Sequence, residues 1–114
     1  MTTPTFAQLK KSFIDSGYEI LFFPSRRLEQ LALDAPAEVK RHIDSDVMGL
    51  IMPDENAIGI ASELSTDERA ETLLHEMIHL WNADIDEEEV EETTLELVDE
   101  LTTAQFGFLQ FLVA

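Results

Sequence analysis

The sequence predicts an α+β fold in which a small sheet or β-hairpin packs on a buried helix and a second, acidic helix follows. Three observations carry this prediction. Apolar residues recur at helical spacing in several stretches, two short apolar runs flank the turn-forming Pro53-Asp54-Glu55-Asn56, and one helical stretch is apolar on nearly every face. A chain of 114 residues is sized for one domain spanning positions 1–114, so recognition of any ligand falls to that domain or to a partner.

Phe6, Leu9, Phe13 and Ile14 follow Pro4 and Thr5, and Gly17 stops the pattern, which predicts a helix over residues 5–16. Tyr18 to Phe23 is a short apolar and aromatic run ended by Pro24, as in a strand. Leu28, Leu31 and Leu33 suggest a weak second helix that Pro36 ends, and Ala37 to Asp46 fits no single pattern. Val47 to Met52 and Ala57 to Ala61 then form the two arms of a hairpin around the Pro-Asp-Glu-Asn turn.

Ser65 or Thr66 caps a helix from about Thr66 to Asn82, with Asp67 and Glu68 in the first turn, where carboxylates favour the positive end of the helix dipole. Its apolar residues, from Ala70 and Leu73 to Leu80 and Trp81, leave few polar positions in the last turns, so this helix is expected at the centre. Asp84 or Asp86 caps a last helix from Glu87 to about Gln105, with Val90, Leu97, Val98, Leu101 and Ala104 on one stripe. The short link through Asn82-Ala83-Asp84 folds it back on its predecessor. The tail from Phe106 to Ala114 is expected to cover the core or to form a dimer contact.

The charge is heavily one-sided, with a formal net charge of −17. Six of the seven basic residues (Lys10, Lys11, Arg26, Arg27, Lys40, Arg41) lie in the first 41 positions, and none follows Arg69. Ten of the seventeen residues from Asp84 to Glu100 are acidic, so direct nucleic-acid binding is not expected and a basic protein is the candidate partner for the acidic helix. The same run also reads as a solvated helix face. With no apolar run of about 18 residues and no basic-then-apolar leader, the chain is expected to be cytoplasmic, without membrane contact. The absence of cysteine excludes disulfides, thiolate ligands and thiol catalysis.

Within the central helix stands His75-Glu76-Met77-Ile78-His79, the H-E-x-x-H pattern of zinc-dependent hydrolases. Positions four apart lie one above the other on a helix, so two imidazoles can share one Zn²⁺ while Glu76 stands where a metal-bound water would sit. Glu76 is the expected general base of a metal-assisted hydrolysis, with a peptide bond in a peptide or protein substrate as the expected target.

A catalytic zinc needs a third protein ligand, and no histidine follows His79, so a carboxylate of the acidic helix must supply it. Around that helix Glu91 lies about 80° from the centre of the apolar stripe and Glu87 about 40°, whereas Glu92 and Glu96 point away. Glu91 is the first choice. Glu87 is set lower as a residue of a frayed helix start, and Glu92 stays open because a one-residue bulge would exchange it with Glu91. Tyr18, His42 and Arg69 are the candidate electrophiles for a developing oxyanion. The hairpin strand ending at Ala61 is the candidate edge on which a peptide would add as a further strand.

The stretch Thr72 to Leu80, preceded by a hairpin and followed by an acidic helix, resembles the small gluzincin-type metallopeptidases of the ImmA/IrrE group and their phage-encoded relatives. The resemblance spans roughly residues 45–105 and is specific over residues 72–80. It implies a minimal zincin-like domain with zinc ligands at His75 and His79, the base at Glu76 and a downstream glutamate as third ligand. Val90-Glu91 matches the apolar-then-glutamate pattern around that ligand. Two other functions stay open: a catalytically inactive zinc-binding protein, and an acidic DNA mimic that inhibits a basic partner.

Overall fold

The computed structural model describes residues 3–35 and 47–114. Helix α1 (Phe6–Ser16) opens on a capping box, in which the Thr5 hydroxyl accepts from the Gln8 backbone and the Gln8 side chain accepts from the Thr5 backbone. It closes at Gly17, whose φ of 71° is a left-handed position that a side chain would strain. Strand β1 (Glu19–Phe23) and helix α2 (Ser25–Leu33) follow. The stretch from Ala37 to Asp46, with Lys40, Arg41 and His42, and the helix stop at Pro36 lie outside the described residues.

Strands β2 (Gly49–Met52) and β3 (Ala57–Ala61) form the expected hairpin, joined by a 3-10 turn over Pro53–Glu55 that Asn56 closes at a φ of 49°. Asn tolerates that left-handed conformation better than most residues. The sheet order is β1-β3-β2, with β1 parallel to β3 and β2 antiparallel to it. The expectation for the strand ending at Ala61 is thereby corrected: β3 is the central strand, buried along its whole length, and offers no edge to a peptide. Ile58 and Ile60 enter one core with α1 and the central helix, while Ala57 and Ala61 enter a second with Leu28, Leu50 and Met52. A strand covered on both faces reads as a continuous apolar run, as Ala-Ile-Gly-Ile-Ala does.

Helix α3 (Thr66–Trp81) is the hub, packed against α1, the sheet and both following helices. Ser65 and Glu68 form its capping box. Leu73, Leu74, Met77 and Ile78 are wholly buried, which accounts for the missing polar face. After a short link anchored by buried Ile85, Asp86 caps helix α4 (Glu87–Glu100).

Helix α4 ends earlier than the apolar stripe suggests. Leu101 is extended, and Thr102 caps a separate helix α5 (Thr103–Leu112) in a capping box with Gln105. Leu109 and Val113 place this tail in the main core, whereas Phe111 is 79% exposed. Among the described residues, no helix is long and apolar enough to cross a membrane.

Candidate metal centre

Two helices and one strand build the site. Helix α3 projects His75 and His79 from successive turns, with ring centroids 5.1 Å apart. The first residue of α4, Glu87, reaches back across the link: His75 Nε2 lies 2.7 Å from its Oε1 and His79 Nε2 lies 2.8 Å from its Oε2. His75, His79 and Glu87 each offer a ligand atom within 4.8 Å of the others. Two imidazole nitrogens and one carboxylate oxygen are a donor set that suits Zn²⁺ and leaves a fourth position for water or substrate.

The carboxylate brought to both histidines is thus Glu87, and the first choice from the sequence, Glu91, is not part of the group. The physical reason is twofold. Asp86 and buried Ile85 hold the first turn of α4, so Glu87 is not frayed. Thr93 joins Val90, Thr94 and Leu97 on the buried face, and Glu87 lies about 40° nearer the centre of that face than Glu91 does. Glu91 lines the same cavity, and its negative charge acts on His75. Glu92 and Glu96 are exposed and line no part of it.

Glu76 lies beside the histidines, 6% exposed, and accepts no hydrogen bond among the described residues. Burial pushes its carboxyl above the usual range against the opposing pull of His75 and His79. Space for it comes from Gly49 of β2, where an added Cβ would lie 2.7 Å from Thr72 Cγ2 and 3.1 Å from Glu76 Cγ. Thr72 is stiff and both contacts sit on the hub helix, so Gly49→Ala should displace Glu76. The expected result is a loss of about 1–3 kcal/mol in denaturant unfolding. Unchanged stability would show that the close approach is immaterial.

Glu87 and His75 set a pH dependence of stability. Burial alone would raise the Glu87 pKa, but hydrogen bonds from His75 and His79 and their charge lower it to about 2. Burial likewise disfavours a charged His75, yet the hydrogen bond to Glu87 and the charges of Glu76, Glu87 and Glu91 raise its pKa. The lowered Glu87 contributes stability above 4.5 that is lost as pH falls toward about 2. The raised His75 contributes stability below 6.5 that is lost as pH climbs through its shifted value. Thermal melts of chelator-treated protein should therefore peak between those limits, and Glu87→Gln should flatten the profile. A melting temperature climbing steadily to neutral pH would contradict the pairing.

The site opens into a cavity of about 370 Å³ walled by β2 (Val47 to Gly49 side), α3 and α4. Neither Tyr18 nor Arg69 lines it. Tyr18 packs against the main core, and Arg69 donates to the carbonyls of Ser62 and Val113 while stacking on Phe22, so both are structural. His42 lies outside the described residues. Gly49 and Thr72 were not foreseen as parts of the site; a glycine opening a strand that faces a motif helix was the available sign of close backbone approach.

Compared with known protein families, characterised proteins and solved structures, the chain matches none.

Proposed function

We propose that the protein is a small zinc-dependent peptidase with a zincin-like arrangement, in which His75, His79 and Glu87 hold the metal and Glu76 is the general base. One observation carries this reading: three ligand atoms converge beside a buried carboxylate that has no hydrogen-bond donor among the described residues, in the lining of one cavity. A structural zinc would call for a fourth protein donor, and the described residues bring together three. When bound, zinc supplies Lewis acidity that polarises a carbonyl and makes a water a stronger acid.

The protein's own groups perform the remaining tasks. Glu76, raised by burial, is tuned to take a proton from the attacking water and return it to the leaving amine. Glu87 holds both rings by Nε2 and so keeps the donors assembled for an ion. Strand β2 is paired only to β3 among the described strands, and its outer edge borders the cleft, so β2 takes the platform role that β3 cannot.

The test is hydrolysis of a quenched-fluorescence peptide mixture by zinc-loaded protein, with and without chelator. Cleavage abolished by chelator and restored by zinc supports the reading. Zinc-loaded protein that cleaves no member of the mixture argues for a metal-binding protein without turnover.

A further inference from the structure

We infer that the cleft receives an extended, basic segment of polypeptide, with cationic side chains directed at Glu71 and its neighbours and apolar side chains held between Met48 and Leu95. The inference deepens the peptidase reading by naming a substrate class, and it rests on that reading for the role of the cleft. Five carboxylates line the cavity, those of Glu68, Glu71, Glu76, Glu87 and Glu91, and none of the described lining residues is Lys or Arg. Their duties differ. Glu87 is held by the two histidines, and Glu68 accepts from the Ser65 backbone in the capping box.

Glu71 has no such duty. It is half-buried, four residues before His75 on the same face of α3, and makes no hydrogen bond or ion pair among the described residues. Glu76, only 6% exposed and without a hydrogen-bond donor among the described residues, adds a second carboxylate to the lining of the same space. A concave site walled by low-dielectric groups concentrates such a field, and the net charge of −17 reinforces it.

The rim selects for more than charge. Met48 beside β2 is 46% exposed and Leu95 on α4 is 60% exposed, and both line the cavity. Water-exposed apolar side chains on opposite walls favour apolar side chains of a ligand between them. The β2 edge supplies backbone donors and acceptors that suit an extended chain. Mixed apolar and cationic side chains on an extended backbone therefore complement edge, rim and floor together.

The test uses zinc-loaded Glu76→Gln protein, so that binding is read without cleavage. Two fluorescent decapeptides alternate Leu with Lys in one and Leu with Glu in the other, and anisotropy is measured at low and high salt. The Lys peptide should bind and weaken with salt, and the Glu peptide should not bind. Added to this background, Glu71→Gln should weaken the Lys peptide about two- to fivefold with zinc content unchanged, whereas Glu92→Gln with Glu96→Gln on the outer face of α4 should leave it unaltered. Equal binding of the two peptides, no binding of either, or an outer-face effect as large as that of Glu71→Gln would overturn the inference. Zinc content measured on the same samples separates this failure from failure of the metal site.

Discussion

Glu76→Gln should keep one zinc per chain, melt no lower than the parent protein and hydrolyse peptide about 10²–10⁴-fold more slowly. The replacement is isosteric, so the space beneath Gly49 stays filled. What disappears is a buried negative charge that has no hydrogen-bond donor among the described residues. Burying such a charge is unfavourable, so the neutral amide should hold or raise the melting temperature even as proton transfer is lost. Stability and activity then move in opposite directions, as expected of a group kept for chemistry. Loss of zinc in this variant would make Glu76 a ligand, and undiminished hydrolysis would remove it from the mechanism.

Glu87→Ala should weaken zinc binding by well over the 10- to 100-fold range that loss of an outer-shell partner produces, and Glu91→Ala should fall within or below that range. The two residues lie one helical turn apart on α4 and both line the cavity, yet only Glu87 reaches both histidines. Competition titration against a chromophoric chelator measures the difference. Because Glu87 also spans His75 and His79, Glu87→Ala should in addition reduce the stability of chelator-treated protein, by more than Glu91→Ala, which removes one charge acting on His75. The reverse ranking would return the ligand role to Glu91.

The central helix and its motif were legible because they rest on local rules: the Ser65 cap, the acidic first turn and an apolar pattern running to Trp81. The hairpin was legible for the same reason, since Pro53 to Asn56 is turn chemistry. Strand order was not. The parallel pairing of β1 with β3 is decided by which cores cover each face of Ala57–Ala61, and that information is tertiary. The break at Leu101 was hidden because Leu101 continues the stripe in phase, although Thr102 and Gln105 carry a capping-box spacing that announces it. At the site, helical phase alone favoured Glu87 over Glu91. An assumption of fraying displaced it, and the cap at Asp86 with Ile85 buried beneath removes that assumption.

The most direct test of a metal site at His75, His79 and Glu87 is elemental mass spectrometry of protein purified without chelator, beside its His75→Ala variant. The proposed site predicts close to one zinc per chain in the parent protein and loss of that zinc in the variant. Parent protein that holds no metal even after zinc is supplied, or a variant that retains its zinc, would contradict the site and leave the three side chains as a polar cluster of the fold.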